Sequence, residues 1–154
     1  MANRARPDLK YNSLDEMLAD VDRLRGGPVE QAGQWNLAMT LDHMAKAMAA
    51  HDNPAVKPMR RPLRWIVRAA VYRMVRRGRY PSMRFPAPKR MRPDPNVSLE
   101  STYAEFRASV ESLQTMQSPI VTDTPFGDLS RDEFIKLQLL HGAHHLGFLK
   151  RRDE

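Results

Sequence analysis

Apolar residues recur every three or four positions along four separate stretches of this 154-residue chain, and nothing alternates convincingly with period two. Such spacing lines one face of a helix, so four amphipathic helices must share a core. The first stretch opens with Ser13-Leu14-Asp15-Glu16. This is a capping-box pattern, in which the serine hydroxyl and the glutamate carboxylate satisfy each other's free backbone N–H groups. Leu14, Met17, Leu18, Val21 and Leu24 follow, and Gly26-Gly27-Pro28 stops the run. The second stretch begins at Asn36 as N-cap, carries Leu37, Leu41, Met44 and Met48, and ends at Asn53-Pro54. The third follows Ser98 with Leu99, Tyr103, Phe106, Val110 and Leu113. The fourth has a second capping box, Ser130-Arg131-Asp132-Glu133, then Phe134, Leu137, His141, His145, Phe148 and Leu149 on one face.

Between the second and third stretches the charge changes character. The net charge is +7, yet residues 57–92 hold 13 of the 25 lysines and arginines and no acidic residue. The remainder carries 12 basic against 18 acidic residues, a basic insert in an acidic body. Pro62 suits a first helical position, and Leu63, Ile66, Val67, Ala70 and Met74 form an apolar face as far as Gly78. The opposite face carries Arg68 and Arg76, with Trp65 and Tyr72 among them. Five prolines over residues 80–95 make the rest an extended crossing. The expected fold is all-α: one domain over 1–154, with a core of about 13–150 and the basic insert at 57–95. Its architecture is a four-helix bundle with one long crossover that carries an extra basic helix.

With no cysteine, the chain cannot build disulfide frameworks, thiolate zinc sites, iron–sulfur clusters or cysteine nucleophiles. No apolar run approaches the roughly 20 residues of a membrane span. The basic residues 1–7 lead into no apolar signal core, which gives the expectation of a cytoplasmic protein.

Three of the five histidines fall in the run His141-Gly142-Ala143-His144-His145. Residues four apart on a helix stack on one face, about 5–6 Å apart at Cβ, so His141 and His145 can converge on one ion. They share that face with Phe134, Gln138 and Phe148. His144 lies about a sixth of a turn away and suits a supporting donor or a surface group. His43, with Thr40, Ala47 and Ala50 around it, is the best third ligand, and His51 belongs on the surface. Three neutral imidazoles leave a coordination position open, as catalytic sites do. The competing reading is a pair of half-buried histidines bonded to backbone or carboxylate. The zinc-protease motif is excluded because no glutamate follows His141. No glycine-rich phosphate loop, nucleophile elbow or paired-carboxylate arrangement is present either, and no catalytic residue is assigned.

Trp35-Asn36-Leu37 with Leu41-Asp42-His43-Met44-Ala45, Pro125-Phe126-Gly127, and the run from His141 to Leu149 give the chain a family look. It resembles the DinB/YfiT-like superfamily of metal-binding four-helix bundles, in a branch known only as a domain of unknown function. The resemblance covers residues 13–150 and is thin in the basic insert. It implies a divalent metal (zinc, nickel or iron) held by one histidine of the second helix and an H-x-x-x-H pair of a later one. By position these are His43, His141 and His145. It further implies a metal-dependent transferase or hydrolase, since relatives include enzymes that use low-molecular-weight thiols such as bacillithiol or mycothiol. Many members follow the last ligand with Arg-Gly-Gln, whereas His145 is followed by Leu146-Gly147-Phe148.

An anionic substrate or thiol would then find Arg64, Arg68 and Arg73 in the insert, unless these form a solvated face. A second class competes: a basic-surface module for nucleic acid or an anionic membrane, without catalysis. Alternatively, Trp65 and Tyr72 pack against a second subunit in a homodimer.

Overall fold

Side-chain caps set the start of most helices. The structure, a computed structural model, describes residues 4–49, 61–78, 89–121 and 127–153. Within these, α1 (Leu14–Arg25), α2 (Leu37–Met48), α4 (Leu99–Thr115) and α5 (Arg131–Leu146) open on Ser13, Asn36, Ser98 and Ser130. Each cap oxygen accepts the backbone N–H three residues on. The box at Ser130 is complete, with Glu133 Oε2 accepting the Ser130 N–H at 2.9 Å. The one expected at Ser13 forms by half. Glu16 turns its carboxylate to the Asn12 N–H at 2.7 Å instead, because Asn12 also offers its amide Nδ2 at 3.1 Å.

The protein is mostly helical, and α1, α2, α4 and α5 pack on one another around a single core. Met17, Val21 and Leu24 of α1, Leu41 and Met44 of α2, Phe106, Val110 and Leu113 of α4, and Leu146 of α5 are fully buried. Each such side chain contributes about 1.5–3 kcal/mol by leaving water. At Gly142 of α5 the side-chain ends of two core methionines take the place of a side chain. A Cβ there would lie 2.4 Å from Met17 Sδ and 3.1 Å from Met44 Cε. The glycine that follows His141 thus lies against Met17 of α1 and Met44 of α2.

Three expectations shift. α2 ends at Met48, ahead of Asn53-Pro54, and residues 50–60 lie outside the description. Phe148 and Leu149 are not on α5. Gly147 closes the helix, and the chain turns into β4 (Leu149–Arg151), which pairs antiparallel with β1 (Val29–Gln31). A second small ladder joins β2 (Ile120–Val121) to β3 (Leu129–Ser130), so strands are minor, as period two suggested. Finally α3 (Arg61–Arg77) is rotated from its expected face. Val71 is buried, Val67, Met74 and Val75 pack beside it, and Ile66 and Ala70 are exposed. Both faces of α3 carry aliphatic residues, so periodicity alone could not choose between them; the valines at i, i+4 and i+8 win by fitting against α5. The side chain of Leu63 and most of the expected crossing lie outside the described residues. A 3-10 turn, Lys89–Met91, is the first part of the crossing's end to be described.

The segment ahead of α1 is tied down by Arg6. Its guanidinium holds both Asp20 oxygens at 2.8 and 2.9 Å and donates to the carbonyls of Leu146 and Leu149. Burial opposes the Asp20 charge, yet bonds from Arg6, Tyr11 and Arg23 hold its carboxyl below the usual value.

Candidate metal centre

α2 and α5 bring three imidazoles to one point. His43 sits mid-way along α2, and His141 and His145 lie one turn apart near the end of α5. Their ligand nitrogens all fall within 4.8 Å of one another. His141 Nε2 stands 3.1 Å from His43 Nε2 and 3.0 Å from His145 Nε2. His43 is buried, whereas His141 and His145 keep part of their surface open. Trp35, just ahead of the α2 cap, walls the cluster. Its ring is 4.8 Å from that of His43 and lies stacked 5.2 Å from that of His145.

Contacts around His43 fix its tautomer. Nδ1 meets the Met91 carbonyl oxygen at 2.5 Å; that oxygen can only accept, so Nδ1 carries the proton and Nε2 turns a lone pair inward. The Met91 segment is in turn held by Asp42, which is 3% exposed. Asp42 Oδ2 accepts the Asp94 N–H at 2.9 Å and Lys46 Nζ at 2.7 Å. Lys46 Nζ also reaches the Arg92 carbonyl at 3.2 Å. One carboxylate thus ties α2 to the end of the crossing and sets the carbonyl that orients its neighbour His43.

Burial makes every histidine of the cluster hard to protonate. His141 is pushed down to about 3, by burial first and then by His43 and His144. His145 lies well below its ordinary 6.5, through burial and then His141 and His43. His43 is lowered by burial, although the Met91 carbonyl and Asp42 act the other way. At neutral pH all three rings are therefore uncharged, the form in which imidazole ligates metal. The arrangement is awkward without a cation. His141 Nε2 has a second imidazole nitrogen on either side, and one proton on it would be divided between two acceptors. An ion between the three nitrogens would satisfy all of them. Two nitrogens on one tetrahedral zinc stand about 3.3–3.4 Å apart, close to the two separations at His141 Nε2.

The three expected ligands are thus brought together. His144 falls at the edge as expected, its ring 4.8 Å from that of His145, with Nδ1 taking a hydrogen bond from Arg4. It is pushed down to about 4, by burial and then by Arg4. Gln138, on the histidine face one turn earlier, is 4% exposed, and its Oε1 has no partner among the described residues. Of the arginines expected to hold an anion, Arg68 and Arg73 are exposed. Arg68 acts on Glu133 in the first turn of α5, about 12 Å of helix rise before His141. The Arg64 side chain and His51 lie outside the described residues.

Arg4 is a cation at the edge of this cluster, bonded to His144, and sequence reasoning missed it because a lone arginine in a leading segment carries no periodic signal. Trp35 was legible as part of a motif that carries the family resemblance, with no role at the cluster assigned to it. Asp42 was legible as part of another such motif, and its tie to the segment carrying Met91 was not.

A mostly helical chain with three convergent, neutral imidazoles belongs to the class of proteins whose side chains can hold a metal ion. The chain is a member of DUF1569, a family described as protein of unknown function, whose model matches residues 3–152. No curated protein and no solved structure matches it.

Proposed function

We propose that this DUF1569 member is a DinB-like four-helix bundle, with α3 in its crossover, that binds one divalent transition metal through His43, His141 and His145. The observation that carries this reading is the convergence of three neutral imidazole nitrogens, with His43 Nδ1 committed to the Met91 carbonyl. An all-imidazole set suits zinc, nickel or iron. Bound there, such an ion supplies a Lewis acid that lowers the pKa of a thiol or water at its open position. That chemistry makes the protein a metal-dependent transferase or hydrolase, with a low-molecular-weight thiol as one co-substrate.

The chain's own residues do the rest. Trp35 covers two of the rings and keeps bulk water from that side. Asp42 and Met91 hold His43 in its ligating tautomer. Arg4, against His144 and 5.7 Å from the centre of the Phe148 ring, offers a cation to an anionic substrate group. The buried Oε1 of Gln138, one turn before His141, is left to accept a hydrogen bond from a donor on the molecule that binds there.

Elemental analysis of protein purified without a histidine tag tests the reading. The expected result is close to one equivalent of metal, lost in His43→Ala and in His141→Ala. Protein that holds no metal, and takes none up from zinc, nickel or iron(II) salts, refutes it. Full occupancy in His43→Ala removes His43 from the site.

A further inference from the structure

The outer face of α3 carries three of the four exposed large hydrophobic side chains among the described residues. Trp65 is 75% exposed, Ile66 69% and Tyr72 57%. At about 100° per residue, Trp65, Tyr72, Ile66, Arg73, Arg76 and Arg77 spread across the side opposite Val67, Val71, Met74 and Val75. The valine side already packs against the core, so the aromatic side is not a second core face. Arg73, Arg76 and Arg77 are exposed and make no ion pair among the described residues, while Arg68 lies in the field of Glu133. All six charges of the helix are arginines, without one acidic residue.

We propose that this face of α3 is a docking surface for an anionic lipid bilayer, on which the helix lies flat. Tryptophan and tyrosine suit the headgroup boundary, because each has an apolar body and a polar edge. Arginines beside them pair with lipid phosphates and carboxylates. Charge complementarity selects this occupant. A second copy packed α3 on α3 would set arginines against arginines, which like-charge repulsion opposes. A nucleic acid would satisfy the arginines but leave Ile66, which has no ring to stack on a base, in water. The helix lies on the surface and does not enter deeply, since no helix of the described residues is long and apolar enough to cross a membrane.

The experiment is sedimentation of the full chain with vesicles of phosphatidylcholine, with and without phosphatidylserine, read together with tryptophan emission. Expected at low salt is binding at least tenfold tighter to the phosphatidylserine vesicles, with a blue shift that disappears in Trp65→Phe. Binding falls steeply with salt, because exposed charges are screened beyond about 10 Å at 0.1 M. Arg73→Gln and Arg76→Gln each weaken it about fivefold, and Trp65→Ala about tenfold. All three positions are exposed, so the variants keep the wild-type melting temperature. No sedimentation with phosphatidylserine vesicles at low salt overturns the proposal, as does equal binding to both vesicle types. Unchanged vesicle binding in Trp65→Ala overturns it too. So does burial of Trp65 in a concentration-dependent dimer, or binding to duplex DNA in the absence of vesicle binding.

Discussion

Asp42 is the residue that links holding the site to holding the fold. Its carboxylate is buried and joins α2 to the segment carrying Met91 through the Asp94 N–H and Lys46. A hydrogen bond to a charged group is worth about 1.5–3 kcal/mol. The lysine adds little, because its side chain is 38% exposed against 4% for Asp42, and such pairs contribute about 0–1 kcal/mol. Asp42→Ala should therefore cost about 2–3 kcal/mol, or about 5–12 °C in Tm for a chain of this size, and Lys46→Met under about 1 kcal/mol. Losing the anchor also frees the Met91 carbonyl from His43 Nδ1. Removing the support of a metal-ligating histidine weakens metal affinity about 10–100-fold. The assays are melting of chelator-treated protein and a zinc competition titration against a chromophoric chelator. Equal losses of stability in the two variants would refute the assignment of the energy to the buried carboxylate. A large loss of stability in Asp42→Ala with unchanged zinc affinity would refute the positioning role.

Gly142→Ala should destabilise by about 1–2 kcal/mol, since overpacking against the buried Met17 and Met44 costs about 1–3 kcal/mol and exceeds the helix-propensity gain of about 0.5–1 kcal/mol; a higher urea midpoint than wild type would contradict this. Apo stability should be full above about pH 6.5 and decline as pH falls toward 3, because the unfolded histidines take up protons near 6.5 while His141 and His144 do so only at about 3 and about 4 in the fold. The urea midpoint of chelator-treated protein at pH 5 must then lie below that at pH 7.5, and an unchanged or raised midpoint would reverse the sign. Arg6→Leu should cost about 2–4 kcal/mol by stripping a half-buried Asp20 of its bidentate partner, whereas Arg4→Leu should leave Tm within about 2 °C; similar melting losses in both would mean that Arg4 is part of the same latch.

Local order was the readable part of this chain. The caps at Ser13, Asn36, Ser98 and Ser130 act within three residues, and the stripes Met17-Val21-Leu24 and Phe106-Val110-Leu113 recur within one helix. Both are visible without knowing what each element meets. What failed was decided by partners. Glu16 left its box for Asn12, α3 turned its valines to the core because α5 accepts them, and Leu149 left the helical face to pair with Gln31. Each outcome depends on a surface that the residue itself does not encode.

The same division runs through the site. His141 and His145 are adjacent by helix geometry alone, so their pairing was legible. Their distance to His43 is set by how α5 packs on α2, and Gly142 leaves room in that packing for the side-chain ends of Met17 and Met44. The run His141-Gly142-Ala143-His144-His145 thus carries two messages in one turn: nitrogen at its ends and absence of bulk at its second position. The first could be read from spacing. The second means something only once Met17 and Met44 are known to lie across from it. Met91, 48 residues from His43, is further out of reach still, since its backbone carbonyl leaves no trace in residue type. Substituting the histidines tests which atoms ligate, whereas substituting Asp42 and Gly142 tests what the sequence does not show, the packing and hydrogen bonds that bring those atoms together.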